Sequence, residues 1–451
     1  MLVSCKKESF ITSADALLTL STDSIKFDTV FTNVGSVTKS FKIINNNDQR
    51  LKLSAIKLMG GTASPFKINI NGLSATALEN VNIPANDSIY VFVSVTVNQT
   101  GSTLPFILSD SILVNYNGNT RFIQLEAFGQ NANFLTNVVI TGNTIWNSSL
   151  PYVILGGINI NTGATLSISA GTKIYSHGNA AFVVEGTLIV NGTNTNNVVF
   201  SGDRLDAPYN NLPAAWPGLF FRSSSKDNQI KFAIVKNAYQ GIVIQQPSIN
   251  ANPKLILKQS IIDNAFAAGI LCTNSAVQAD NCLISNCGSN ILIELGGSYN
   301  FTNCTVASFE NKYFLRKMPV LSVSNFLEVN GTTNTASLAA IFTNCIFWGD
   351  NAIVDDEVII SKQGSNTFNV GLDHCLFKAL NDPSNAVLTA VIKNQDPLFD
   401  SIDVENKFYD FRITKNSGAP GLNKGILTSF TKDLEDNNRN NGLPDLGCYE
   451  K

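Results

Sequence analysis

A short phrase, asparagine followed by cysteine, recurs in the second half of this 451-residue chain. Asn281-Cys282 is repeated as Asn303-Cys304, 22 residues later. When related phrases are aligned on the cysteine position, the intervals are 27, 22, 22, 41 and 30 residues, and the aligned positions are Ala233, Ser260, Cys282, Cys304, Cys345 and Cys375. A repeat in the low twenties, with insertions in some turns, is typical of a β-solenoid.

The coils of a solenoid stack about 4.8 Å apart, so residues at equivalent positions form columns along its axis. We expect the six aligned residues to form one buried column, because cysteine is a compact apolar side chain that fits an inward slot. A second column is expected at a bend four residues on, at Asn237, Asn264 and Asn286, since asparagine tolerates left-handed backbone. The stacked cysteines should remain thiols, because parallel Cβ vectors strain a disulfide.

The chain before this array has a different pattern. From about residue 15 to 130, segments such as "SIYVFVSV" alternate apolar and polar residues between short turns, which predicts antiparallel strands with one buried face. Such a series of strands predicts an immunoglobulin-like β-sandwich. The predicted fold class is therefore all-β, with residues 1–14 as a tether, 15–130 as the sandwich, 131–395 as a parallel β-helix and 396–451 as its closing segment.

Composition limits the partners and the chemistry. Charged residues make up 14% of the chain, against roughly 25% in ordinary soluble domains, so Asn, Thr, Ser and Gly supply much of the surface. The net charge is −3 and no block of basic residues occurs, which argues against a nucleic acid as partner. His177 and His374 belong to no ligand-spaced set, so zinc and Ser-His-Asp chemistry are not indicated.

Several stretches resemble bacterial proteins. Leu2-Val3-Ser4-Cys5 resembles a lipobox, whose cysteine receives a lipid. A secretory signal needs a longer leader than the four residues before Cys5. The alternative to a lipobox is a chance tetrapeptide in a frayed tail. The stretch "FDTVFTNVGSVTKSFKIINNN" is similar to the start of immunoglobulin-like modules in surface lipoproteins of Bacteroidetes. Residues 162–203 are similar to the opening coils of right-handed parallel β-helix proteins of the pectin-lyase-like fold, and "GDRLDAPYNNLPAAWPGLFF" resembles a phrase of β-helix lipoproteins.

This resemblance implies an extracytoplasmic protein that is lipid-anchored through Cys5 to the outer membrane or cell surface, with the sandwich as a spacer. No apolar run of 18 residues occurs, so we expect anchoring and no membrane span. Three functions stay open: glycan binding or adhesion, cleavage by a polysaccharide lyase or glycoside hydrolase, and a non-catalytic scaffold. A groove with three or more carboxylates or basic groups on adjacent coils would favour the enzyme, and an Asn, Thr and Ser face would favour binding.

The nearest match to a catalytic carboxylate pair is Asp355-Asp356-Glu357. Alternate residues of a strand share a face, so Asp355 and Glu357 are the candidates for acid and base in glycan hydrolysis. The alternative is a solvated turn in an inserted loop.

A candidate binding set lies in one loop: Asp203, Arg204, Asp206, Tyr209 and Trp216. These residues could form a small sugar or ion site with an aromatic platform, and Ca²⁺ is the one cofactor they suggest. The alternative is an Arg204 salt bridge that pins the loop, with Trp216 covering the end of a strand.

The tail "DLEDNNRNNGLPD" is oxygen-rich but lacks the glycine and the glutamate that an EF-hand loop needs. A cap in which Arg439 pairs with Asp433 or Asp445 explains the same residues.

Overall fold

The computed structural model describes residues 9–32, 34–101, 105–147, 149–309, 313, 316–350, 353–413, 417–439 and 442–451. The chain divides into two compact units, one made mainly of residues up to Ala132 and the other of residues from Asn133 to Lys451. As predicted, the fold is all-β, with a β-sandwich followed along the chain by a long parallel sheet that is coiled as a β-helix. Among the described residues, the helical segments are 3-10 turns at Gly61–Ala63 and Tyr209–Asn211, and no helix is long and apolar enough to cross a membrane.

The first unit is a sandwich of two sheets. Its strands are β1 (Phe10–Ile11), β2 (Leu18–Leu20), β3 (Ser24–Phe31), β4 (Lys39–Asn45), β5 (Arg50–Leu58), β6 (Phe66–Ile70), β7 (Leu73–Ser74), β8 (Ala77–Ile83), β9 (Ser88–Val95), β10 (Phe106–Tyr116) and β11 (Asn119–Gln130). One sheet has the order β1-β5-β10-β11-β3 with β8 also on β5, and the other has the order β2-β4-β9-β6-β7. The alternation seen in the sequence is real: Val91 and Val93 are buried while Tyr90 and Phe92 are exposed. Because β1 pairs with β5, the sandwich begins within the segment expected to be a tether.

The second unit contains one sheet of 26 described strands, coiled so that each strand pairs in parallel with strands of the coils before and after it. Its strands are β12 (Asn133–Ile140), β13 (Thr144–Trp146), β14 (Tyr152–Ile160), β15 (Thr165–Ser169), β16 (Lys173–Ser176), β17 (Phe182–Val184), β18 (Thr187–Asn191), β19 (Val198–Gly202), β20 (Leu219–Phe221), β21 (Asn228–Lys231), β22 (Ala233–Lys236), β23 (Gln240–Gln245), β24 (Leu255–Lys258), β25 (Ile261–Asp263), β26 (Ala268–Asp280), β27 (Leu283–Ser285), β28 (Ser289–Thr302), β29 (Thr305–Ser308), β30 (Leu321–Ser324), β33 (Leu338–Thr343), β34 (Ile346–Gly349), β35 (Val358–Ser361), β36 (Phe368–Asp373), β37 (Leu376–Phe377), β38 (Val387–Thr389) and β39 (Ile392–Lys393). Two hairpins stand outside it: β31 (Phe326–Val329) with β32 (Thr332–Thr335), and β40 (Ser401–Asp403) with β41 (Phe408–Asp410).

The predicted cysteine column is confirmed. The residues that follow four of the cysteines are register partners on successive coils: Leu283, Thr305, Ile346 and Leu376. The cysteines that precede these residues therefore stack on one another. All six aligned residues are buried, at 0 to 1% exposure. The thiols donate to backbone carbonyls, as Cys304 does to the Thr302 oxygen at 3.4 Å. All seven described cysteines are free thiols, as expected.

Asparagines form the corners on both sides of this column. The predicted corner is present: Asn237, Asn264 and Asn286 have φ of 62°, 55° and 51°, and we call these three residues the asparagine corner. A second left-handed corner, which the sequence analysis missed, lies just before the cysteines. Asn281 and Asn303 have φ of 52° there. The recurring phrase therefore combines a corner residue with the first inward side chain after it.

Residues 396–451 were expected to be the closing segment of the β-helix, and we call them the C-terminal strap. Described residues of the strap pack along the side of the coils. Leu434 and Tyr449 belong to one buried apolar cluster with Leu283, and Leu446 belongs to another with Ile346. These two strand residues follow the cysteines and point outward. The strap is needed here because an outward apolar column requires cover from water.

Candidate functional site

The two candidate catalytic residues do not form a pair. Asp355 is exposed, whereas Glu357 is fully buried. The expectation that they share a face is wrong because strand β35 begins only at Val358, so strand alternation does not apply to them. Glu357 instead accepts hydrogen bonds from Nη1 and Nη2 of Arg316 at 2.8 and 2.7 Å, and from the backbone N–H of Val320 at 3.2 Å.

The Arg316–Glu357 ion pair is part of the packing. The Arg316 side chain is 1% exposed and also donates through Nη2 to Asp350 Oδ1 at 2.9 Å. Burial raises the pKa of Glu357, and the contact with Arg316 offsets this only in part. Burial acts to lower the pKa of Arg316, but the hydrogen bonds and charges of Glu357 and Asp350 outweigh it and raise that pKa. Both Glu357 oxygens are thus held by the protein, which suits a structural role.

The structure brings together only some of the five residues of the candidate binding set. Asp203 Oδ2 lies 2.7 Å from Nδ1 of His177, and the Arg204 guanidinium carbon lies 3.8 Å from the ring centroid of Tyr209. Asp206 is half-buried in the same loop. Trp216, however, is 1% exposed and donates its indole N–H to the Lys236 carbonyl at 2.9 Å. An aromatic platform that includes Trp216 is therefore wrong, and this side chain belongs to the core, as the alternative predicted.

The acidic tail has internal partners. Asp433 Oδ1 accepts the backbone N–H groups of Glu435 and Asn437, and Oδ2 accepts that of Glu450. Arg439 pairs with Glu450 at 3.0 Å, so the predicted pairing with the Asp433 or Asp445 carboxylate is wrong. In the part of the chain that the structure describes, no group of three or more His, Cys, Asp or Glu side chains could hold a metal ion. Cys5, the predicted lipidation site, lies outside the described residues.

A polar groove of about 410 Å³ runs over adjacent coils of the β-helix, and we call it the amide groove. Two outward columns on strands β26 and β28 form its floor: Gln278 is in register with Asn300, and Ala276 with Ser298. One wall is the loop 247–253, which connects β23 to β24. No Asp, Glu, Lys or Arg lines the groove among the described residues.

The tip of the wall loop is held by a single carboxylate. Asp227 accepts hydrogen bonds from Nδ2 of Asn252 at 2.7 Å and from Nδ2 of Asn250 at 2.9 Å. These two bonds lower the pKa of Asp227, so the carboxylate is ionised at neutral pH. The amides that line the groove are thereby fixed in orientation.

The base of the same loop is held by a buried lysine. The Lys254 ammonium donates to the carbonyl oxygens of Arg222, Ser223 and Gln245 at 3.1, 3.0 and 2.7 Å. Burial lowers the pKa of Lys254 to about 8. An ammonium group has three N–H bonds for these three acceptors, so the loop is tied to the neighbouring coils by one side chain.

The floor of the groove contains an unsatisfied hydroxyl. Ser275 is 2% exposed, and its Oγ has no hydrogen-bond partner in the described ranges. Its backbone N–H donates to the Tyr299 hydroxyl at 2.9 Å, and that hydroxyl donates to the Gly296 carbonyl. Buried polar groups are normally paired, so this hydroxyl is an unsatisfied hydrogen-bonding group directly beneath the groove.

The sequence analysis missed the amide groove, although one signal was present. The interval from Ala233 to Ser260 is 27 residues, five more than the 22 that separate Ser260 from Cys282. The additional residues fall in "PSINANP", which is the wall loop. An insertion in one coil marks a loop that projects from the solenoid, and such loops often carry function.

No model of a protein family matches this chain, and no curated protein matches it. Two solved structures are similar to parts of it. A family 123 glycoside hydrolase from Clostridium perfringens, from a study of glycolipid glycan hydrolysis, matches at 9% identity and a TM-score of 0.18, over 28% of this chain and 26% of the hydrolase. The PapD-like domain 7 of human CEP192 matches at 12% identity and a TM-score of 0.19, over 29% of this chain and 96% of the domain. Neither similarity bears on the activity of this protein.

Proposed function

We propose that this protein binds a neutral glycan in the amide groove. The observation that carries the proposal is the lining of the groove, which combines side-chain amides and hydroxyls from adjacent coils without a charged side chain among the described residues. Asn, Gln and Ser side chains both donate and accept hydrogen bonds, and so do the hydroxyls of a sugar. An uncharged lining offers no ion-pair partner to an acidic polysaccharide, so a neutral one is favoured.

The dimensions of the groove support this proposal. Its volume of about 410 Å³ lies within the range of ligand sites, which is about 300 to 1,000 Å³. The floor residues repeat from coil to coil at about 4.8 Å, which suits an extended chain that lies across several coils. The anchored wall loop means that little ordering is needed on binding, and this lowers the entropic cost.

Cleavage of a polysaccharide and a scaffold role without a glycan ligand are the rival functions. Cleavage requires an acid and a base within hydrogen-bond reach of one bond of the substrate. The groove has no carboxylate or basic side chain in its described lining, so we propose binding or adhesion ahead of catalysis.

We further propose that the protein acts outside the cytoplasm, lipid-anchored through Cys5 to the outer membrane or cell surface, with the sandwich as a spacer. The support is the likeness of Leu2-Val3-Ser4-Cys5 to a lipobox and of the neighbouring sequence to surface lipoproteins of Bacteroidetes. Expression behind a complete secretory leader, with metabolic labelling by a fatty acid, tests this. Label should be incorporated by the wild type and lost in Cys5→Ser; equal labelling of both would contradict the anchor.

A glycan array followed by calorimetry tests the groove. The wild type should bind at least one neutral glycan, and replacing Ser298 and Asn300 together by alanine should weaken binding about tenfold or more, since two hydrogen-bonding side chains are lost. Asn369→Ala is the matched control, because Asn369 continues the Ser298 column two coils further along and does not line the groove. Absence of glycan binding, or equal affinity of the double variant and the control, would refute the proposal.

A further inference from the structure

A second and smaller cavity lies where the C-terminal strap meets the asparagine corner, and we call it the corner pocket. Its volume is about 100 Å³. Lys236 and Asp263 contribute to it from strands β22 and β25, and Lys407 and Tyr409 contribute from the region of hairpin β40–β41. It uses none of the residues that line the amide groove.

Two groups of opposite charge, Lys236 and Asp263, line this pocket without a direct hydrogen bond between them. Lys236 and Asp263 are register partners on adjacent coils. Asp263 Oδ1 accepts hydrogen bonds from Ser285 Oγ at 2.7 Å and from Asn286 Nδ2 at 3.2 Å. Burial raises the pKa of Asp263, and Ser285, Asn286, the charge of Lys236 and the backbone N–H of Asn264 offset this in part. Among the described residues, the Lys236 ammonium makes no direct hydrogen bond or ion pair. One acceptor and one donor are therefore available to a ligand.

A third group in the pocket is also unsatisfied. The Tyr409 hydroxyl is shielded from solvent and has no hydrogen-bond partner in the part of the chain that the structure describes. Burial, followed by the nearby charge of Asp263, raises the pKa of Tyr409 to about 12, so the phenol is a donor at neutral pH. A shielded polar group without a partner is rare and costly, which points to a ligand in the pocket.

The Lys407 side of the corner pocket already makes contacts within the protein. The Lys407 ammonium donates to the Asn211 carbonyl at 3.2 Å and lies 3.6 Å from the ring centroid of Tyr313. Lys407 has φ of 55°, so the hairpin places this side chain through a left-handed residue. These contacts hold the hairpin beside the corner and leave Lys236, Asp263 and Tyr409 as the recognition groups.

The three groups select a ligand chemistry. A cation would be opposed by Lys236 and Lys407, and an anion by Asp263. A hydroxyl can accept from Lys236 or Tyr409 and also donate to Asp263. The pocket is well below the roughly 300 Å³ of an ordinary ligand site, so it admits only an edge of a molecule. We propose that the corner pocket binds the hydroxyl-bearing edge of a neutral sugar or polyol, with Lys236 and Tyr409 as donors and Asp263 as acceptor.

Saturation-transfer NMR with the full chain tests this proposal, using a panel of neutral monosaccharides and, in a second arm, acyclic sugar alcohols. Signal in the first arm alone assigns a ring edge, and signal in both assigns any polyol. Tyr409→Phe removes only one oxygen and should weaken binding about threefold to tenfold, and Lys236→Met should weaken it about tenfold or more. Lys231→Met, which changes a lysine on strand β21 outside the pocket, is the control and should bind like the wild type.

The outcomes separate this site from the amide groove. Signal that is weakened in both pocket variants and kept in the alanine variant of Ser298 and Asn300 supports the corner pocket. Three results overturn it: no signal from any member of the panel, signal unchanged by Tyr409→Phe and Lys236→Met, or signal lost only in the groove variant. The last result would leave the proposed glycan groove standing without the corner pocket.

Discussion

The buried ion pair of Arg316 and Glu357 allows a quantitative test of whether the acidic cluster is structural. Glu357→Gln keeps the shape of the side chain but removes its charge and turns one acceptor into a donor. Arg316, at 1% exposure, would then face an N–H group where it now has a carboxylate oxygen at 2.7 or 2.8 Å. Breaking one partner of a buried pair costs about 3–5 kcal/mol. Asp350 still contacts the guanidinium at 2.9 Å, so we expect the lower end, about 3 kcal/mol.

Urea unfolding followed by tryptophan fluorescence measures this loss of unfolding free energy in the β-helix. The three tryptophans, Trp146, Trp216 and Trp348, all lie in the β-helix, so the signal reports on that unit alone. Asp355→Asn is the control, because Asp355 is exposed two residues away, and exposed substitutions usually change the free energy of unfolding by less than about 0.5 kcal/mol. A Glu357→Gln variant within about 1 kcal/mol of the wild type, well under the cost of an unpaired buried charge, would refute the structural assignment.

Three further predictions concern the β-helix. Gly349→Ala should lower the free energy of unfolding by about 1–3 kcal/mol, because the added Cβ would collide with Glu357 Oε1 and Arg316 Nη2; an unchanged urea midpoint would contradict this. Thiol titration of the unfolded, non-reduced protein should count at least seven reactive groups, from the seven free cysteines, and a count near one would show disulfides instead. Burial raises the pKa of Asp280 from 3.8 to about 6, so its stabilising contribution is complete below pH 3.8 and is lost as the pH rises through about 6. Between pH 4 and 8 the wild type should therefore lose about 2 kcal/mol more than Asp280→Asn, whereas parallel stability curves would show that Asp280 does not titrate in this way.

The sequence alone determined the coils and the column at their centre. Successive coils repeat a small inward residue at the same position, and stacking aligns these residues without any long-range information. The left-handed residue before it, which the sequence analysis missed, is asparagine at 281, 303 and 344 but Phe232, Gln259 and His374 in the other coils. Cys282 and Cys304 could be placed in register because the coil between them contains no insertion. The alternation of the N-terminal segments predicted the sandwich for the same reason, since a strand with one buried face has a period of two residues.

Only the tertiary structure decided which inserted segments meet. Glu357 finds Arg316 across 41 residues, and Tyr409 approaches Asp263 only because the strap returns along the side of the β-helix. The partner of Arg439 proved to be Glu450, although Asp433 and Asp445 are nearer in sequence. Insertions and the strap follow no period, so their contacts depend on which outward surfaces the coils leave uncovered. The recognition groups of both proposed sites lie on such surfaces, and this is why the repeat predicted the scaffold and could not predict the sites.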